Sequence, residues 1–430
     1  MRAQTTLDAT NLQSSRRYLR AFFLFALFVV PALLGVIYAV HNTDSHHWGF
    51  ILGTALDYKQ GKSLFSEIFI QYGVGQPILL AVFSSLFSLT YTNIGVFGAV
   101  VYSATLSLLF LTTERLTSTR IAVLVSLIAF LIHPYSIYPW PDYLAGFALM
   151  FATFLLVRAP RFSLHTHAVV GLLLFAVFLF RNTYVVNILA AGFCFAVLGV
   201  IQRRFFHPGV MLSVAVFAAA VLAYLVFLQF QGNLSLWYAQ NFGAATESYK
   251  VGTDSVWSAL GNILVPDSLA NLVFSLMLFI CAYSILRLLF VKVSDTPSDS
   301  PTEQSHALMV FLSLLGAAGF AQVLMIYEVF RLQNACIPLF VASAFWLLRL
   351  LPQREAQASR LRADWILVVV AAVLAVDFPS LLAGKRFSTW FPIMESPVTE
   401  TWQQYSPVVD SPVLEGHRFL PPVANYYTGL

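Results

Sequence analysis

Asp44, His46 and His47, in the stretch HNTDSHHWGF, follow closely on the first long apolar run of the chain. A carboxylate there has the chemistry of a general base, able to take the proton of an attacking hydroxyl. Its plainer reading is a solvated loop acid that reaches water at a bilayer edge. The two imidazoles could ligate a divalent metal or, protonated, hold an anion. Adjacent helical positions point about 100° apart, so both on one ion is awkward, and interfacial hydrogen bonding is the alternative. Further along, GKSLFSEIFIQYGVGQP brings Lys62, Glu67, Gln71 and Tyr72, with Lys59 just before it. Asp142 in YPWPDYLAGF is a second acid, placed where it would also favour the dipole of a following helix. Arg181 in FLFRNTYVV and Arg331 in YEVFRLQN stand at short turns between apolar runs, where an arginine snorkels or binds an anion. Arg331 has a competing partner three residues away in Glu328.

The elements that must position these groups are membrane helices. Of 430 residues, 59% are hydrophobic and only 10% charged, against about a quarter charged in soluble domains. Apolar runs near 19–40, 94–112, 121–138, 143–158, 168–180, 183–201, 210–230, 268–290, 307–327, 334–350 and 364–383 predict an all-α polytopic protein of about eleven transmembrane helices. The segment 76–90 is short for a span and is expected to be an interfacial or re-entrant helix. With the N-terminus inside and 76–90 not crossing, 16 of the 24 Lys and Arg face the cytoplasm; with it crossing, only 10 do. The positive-inside bias favours the first arrangement. It makes residues 1–383 a membrane domain, puts 41–93 and 231–267 outside as long loops, and leaves 384–430 as an outer C-terminal tail. The basic residues before the first run, with its length of about 22, read as an uncleaved signal anchor. The net charge of +4 gives no case for nucleic acid. Cys194, Cys281 and Cys336 all lie in apolar runs and form neither a metal spacing nor a disulfide framework.

The string Asp44, His46, His47, Gly49, then QGKSLFSEIFIQYGVGQPILL, resembles the first periplasmic loop of GT-C superfamily glycosyltransferases, in their bacterial, protein-mannosyltransferase-like branch. The resemblance is sharpest over 41–80 and extends loosely to the whole architecture, a long first outer loop followed by a second outer turn with an acid. It implies transfer of a sugar from a polyprenyl-phosphate donor to a glycan, lipid or protein acceptor at the outer face of the cytoplasmic membrane. It makes Asp44 the catalytic base. Asp142, with His46 and His47, would serve the acceptor or a divalent metal. The leaving phosphate would need cations, for which Arg331, Arg181, Lys62 and Lys59 are available, while Glu67, Gln71 and Tyr72 would contact substrate. The sequence departs from the family where Ser45 follows Asp44, since many relatives have Asp-Glu there. An inverting displacement from a phosphate leaving group asks for one base and not for the paired acids of glycoside hydrolysis.

Two other classes fit the same scaffold. A lipid-linked saccharide transporter or flippase would be expected to carry charges inside several spans, whereas these apolar runs hold almost none. A non-catalytic envelope-assembly protein would keep a site for binding alone.

Overall fold

The computed structural model describes residues 20–37, 45–133, 140–159, 161–243, 268–290, 301–323 and 328–350, with Tyr18 and Gly261. Asp44, most of the turn before Trp140, the expected span 364–383 and the tail 384–430 lie outside the described residues. Helices account for nearly all of what is described, and its only β pairing is an isolated bridge between Leu64 and Ile68.

In chain order the helices are α1 (Arg20–Ile37), α2 (Ser45–Lys59), α3 (Gly75–Phe83), α4 (Tyr91–Leu116) and α5 (Thr119–Ile132). Next come α6 (Pro141–Arg158), α7 (Leu164–Phe180), α8 (Tyr184–Ile201), α9 (Pro208–Phe230) and α10 (Leu234–Tyr238). The last four are α11 (Leu269–Phe290), α12 (Pro301–Ala318), α13 (Val329–Ala335) and α14 (Ile337–Leu350). Local sequence sets many of the boundaries. Thr90 caps α4 by accepting the Asn93 N–H at 3.2 Å, and Ser118 caps α5 through Ile121 N–H at 3.4 Å. Pro141 and Pro208 open α6 and α9, where a missing N–H costs nothing.

Among the described residues seven helices are long and apolar enough to cross a membrane, and the pair α13–α14, bent by 65°, would make an eighth. Helices α5 and α7 are apolar but shorter. Ten of the eleven expected segments are therefore helical, although not all meet the length of a span. Two expectations need adjusting. The run 334–350 belongs to a longer, broken element that starts at Val329. Helix α6 starts at Pro141, which puts Asp142 inside the first helical turn. The segment 76–90 yields α3, a helix of nine residues; at 1.5 Å per residue that is about 14 Å, half of a hydrocarbon core.

Helices α6 and α12 are central, with 72% and 67% of their apolar windows buried, while α1, α9 and α11 are at 17–22% and form the rim. Rim helices that are apolar all round suit a lipid solvent. Antiparallel packing gathers the starts of α4, α6 and α8 with the ends of α5, α7 and α9. Thr183 Oγ1 donates to Gln322 Oε1 at 2.5 Å, so the 3₁₀ turn Gly319–Val323 that follows α12 joins the same end. This end carries the site.

Candidate functional site

The chain after α2 turns at Gly61, whose φ of +87° only glycine adopts without strain. It then forms a tight bend in which Phe65 N–H donates to Ile68 carbonyl oxygen at 3.0 Å. Gln240, in the wide helical turn Ala239–Gly243 after α10, holds this bend as a neighbouring strand would. Its Nε2 donates to Phe65 carbonyl oxygen at 2.7 Å and its Oε1 accepts from Ile70 N–H at 2.9 Å. Next come Tyr72, Gly73 and Gly75, pressed on the end of α7. A Cβ on Gly73 would stand 2.2 Å from the Leu179 carbonyl oxygen, and one on Gly75 would stand 2.8 Å from the Phe180 ring. Any side chain at Gly73 would push the loop off. Asn182 N–H, just past α7, donates to Tyr72 carbonyl oxygen at 2.9 Å. The YGVG sequence is thus the means by which the first loop touches the bundle backbone to backbone.

What the loop is pressed against is charged. Asp142, in the first turn of α6, is fully buried, and its Oδ2 accepts from Arg181 Nη1 at 2.7 Å. Arg181 caps the end of α7, and its guanidinium lies over the Tyr72 ring, 5.1 Å from the centroid. Tyr72 in turn meets Trp140 edge to face at 4.8 Å. Arg331, in α13, is buried and paired with Glu328. Both ion pairs act on the Tyr72 hydroxyl. Burial pushes its pKa up to about 12; Arg181 and Arg331 pull it down, while Asp142 and Glu328 add to the rise. The Tyr184 hydroxyl, at the start of α8, lies in the field of Asp142, Arg181 and Arg331 as well. So residues from five parts of the chain converge on one neutral but strongly polar cluster. Asp142 Oδ1 and Tyr184 Oη, both buried, have no hydrogen-bond partner among the described residues.

Of the residues singled out in the sequence, Tyr72, Asp142, Arg181 and Arg331 come together. Lys62 does not join them: it pairs at 2.5 Å with Asp57, on its own turn. Lys59 and Gln71 are exposed. Glu67 is exposed too, and it accepts the Ser63 N–H at 2.7 Å, which makes it a brace of the bend. His46 and His47 sit in the first turn of α2, but their side chains, like Asp44, lie outside what is described. Among the described residues no three His, Cys, Asp or Glu side chains gather to hold a metal ion. Asp142 is held by Arg181 through Oδ2 alone.

Sequence reasoning missed the polar residues buried around the cluster. Asn182 Nδ2 donates to Asn241 Oδ1 at 2.5 Å, and Asn241 Nδ2 to Trp237 carbonyl oxygen at 2.9 Å. His133 Nε2 meets Tyr143 Oη at 2.9 Å, and Tyr143 stacks on Phe330, next to Arg331. On α13, Gln333 Nε2 donates to Ala129 carbonyl oxygen at 2.6 Å. Asn334 lies so close to α6 that a Cβ on Gly146 would be 2.3 Å from its Oδ1. A signal was present: Asn187, Gln322 and His133 interrupt apolar runs, and a polar group inside a span marks a place of interest.

No family model matches the chain, and no curated protein matches it either. Among solved structures it is similar to ArnT from Cupriavidus metallidurans in the apo state. The TM-score is 0.48 and the identity 11%, over 84% of this chain and 65% of that one. The chain thus spans a little under two thirds of that protein's length.

Proposed function

We propose that the protein is a membrane glycosyltransferase that moves a sugar from a polyprenyl-phosphate carrier to a hydroxyl or amine of a cell-envelope acceptor, glycan, lipid or protein. The observation that carries this reading is the docking of the first loop through Tyr72 on Arg181, at an end of the bundle where Arg331 acts on the same Tyr72 hydroxyl. That loop is the one whose sequence resembles the GT-C motif. Asp44, one residue before α2, takes the acceptor proton as the hydroxyl attacks the anomeric carbon. The bond from that carbon to the phosphate oxygen breaks as the new glycosidic bond forms, so the leaving group departs as a phosphate that needs cations and no general acid. Arg331 and Arg181 are the cations that act on Tyr72, and arginine's planar fork suits a phosphate. Since Arg181 already holds Asp142, its part is to fix Asp142 and Tyr72 for the substrate. Lys59 and Lys62, outside the cluster, can serve only at its approach. Glu67 and Gln71 line the outer face of the bend, and Tyr72 the inner.

The test is single-turnover release of polyprenyl phosphate from labelled polyprenyl-phosphate sugars by the purified chain, with Asp44→Asn alongside. A loss of about 10² in rate with the donor still bound supports Asp44 as base. A mutant as fast as the wild type removes Asp44 from the mechanism. A wild type inert toward a broad donor panel turns the reading to transport or assembly.

A further inference from the structure

Both arginines of the cluster already hold a carboxylate, but the two pairs are placed differently. Arg181 and Asp142 are 6% and 0% exposed, so neither partner can leave without stranding a buried charge. Arg331 is 9% exposed, whereas Glu328 is 36% exposed. Glu328 also stands in extended backbone at the start of α13, three residues before its partner, and not inside a helix. The Glu328 side chain is about a third open to water, and that of Arg331 is not. An arriving anion therefore meets one cation whose partner is exchangeable and one whose partner is locked.

We infer that Glu328 is a built-in competitor for Arg331, a carboxylate that an incoming phosphate group displaces while Asp142 stays on Arg181. This rests on the reading of the site as one that takes a lipid-linked phosphate. The exchange conserves charge in the pocket, one anion replacing another, so the two arginines are never left uncompensated. It also sets a threshold for entry. A phosphate brings the negative charge that can replace the carboxylate of Glu328 on the guanidinium fork, and a neutral sugar does not.

The experiment measures binding of farnesyl phosphate and, in a second arm, inorganic phosphate to the full-length chain in detergent micelles, by titration calorimetry. Glu328→Gln should tighten binding about three- to tenfold, the release of one partly exposed ion pair. Arg331→Gln should weaken it at least about tenfold. In the Arg331→Gln background, Glu328→Gln should gain nothing. Glu114→Gln, which removes the same charge at the opposite end, should leave the affinity unchanged. Thermal melts confirm that each variant is folded. Affinity unaltered or weakened in Glu328→Gln overturns the inference, as does a gain that survives without Arg331, or no binding of either probe. Coupling seen only with farnesyl phosphate assigns the site to a lipid phosphate; coupling seen equally with inorganic phosphate assigns it to the free anion. A chain that transfers no sugar but shows the coupling loses the transferase reading and keeps this one, and active transfer without coupling does the reverse.

Discussion

The two ends of the helix bundle carry their charges in opposite ways. At the end where α6 starts, Asp142 and Arg181 form a pair with almost no access to solvent, roofed by Tyr72 and Trp140. At the other end Arg20, half exposed, reaches Glu114 at 2.7 Å, and Thr119 Oγ1 donates to the same carboxylate. Arg115 there lays its guanidinium on the carbonyl oxygens of Val157 and Arg158, the free acceptors at the end of α6. The second end keeps its charges near water, with Arg115 in the last turn of α4 where the helix dipole favours a cation. The first end keeps opposite charges in a desolvated space, which stability alone does not call for, since a buried ion pair is no better than a well-packed apolar pair. The contrast supports the proposal that the Asp142 end serves chemistry or binding, while the Arg20 end seats the bundle.

The largest effect expected from breaking this contrast is at Asp142. Asp142→Ala leaves the Arg181 guanidinium buried without its carboxylate, at a cost of about 3–5 kcal/mol. Unfolding of the detergent-solubilised chain, followed by intrinsic fluorescence against a denaturing detergent, reads the loss. Asp142→Asn keeps a hydrogen-bond acceptor and should lose less. A loss under about 1 kcal/mol for Asp142→Ala would mean that water reaches the pair and that the two ends are not different in kind.

How much of this was legible differs by link. The apolar runs gave the helices, and boundaries came within a few residues: the expected 94–112 is α4, Tyr91–Leu116. The kink before Ile337 was not legible, because Pro338 and the surrounding apolar residues read equally well as the start of a straight span. Expected topology already put Asp142 and Arg181 on one side, but nothing local says that two residues 39 apart will pair. Arg331 with Glu328 was readable from spacing alone, since three residues is local. The use of Gly73 and Gly75, letting the loop lie on the end of α7, depends on a surface that the local sequence does not contain. The partners of Lys62 and Glu67 were missed for the opposite reason. Both bonds close within one turn, and a search for site residues passed over the local answer.

An intermediate effect is expected where the first loop meets the site. Gly73→Ala places a methyl inside the van der Waals envelope of the Leu179 carbonyl oxygen, so the loop must lift. Overpacking of this kind costs about 1–3 kcal/mol. It should fall on the loop and not on the bundle. Hydrogen exchange at Asn182 N–H, which donates to Tyr72, should quicken while the amides of α6 stay protected. Equal quickening in both would show that the loop and the bundle open as one unit, and the distinction between a site built on the bundle and a site built into it would go.

The smallest effect belongs to the opposite end. Arg20→Ala removes an exposed ion pair, worth about 0.2–1 kcal/mol before salt screens it. The loss should shrink further in 1 M salt, while that of Asp142→Ala should hardly change, because ions cannot reach a pair that solvent does not reach. The two salt responses, measured on one preparation by the same unfolding assay, test the comparison more sharply than either magnitude does. If Asp142→Ala softened with salt as Arg20→Ala does, the Asp142 pair would be in contact with bulk electrolyte. The phosphate exchange assigned to Arg331 would then have no reason to prefer Arg331 to Arg181, since the argument for a locked and an exchangeable partner depends on only one of the two pairs being open to water.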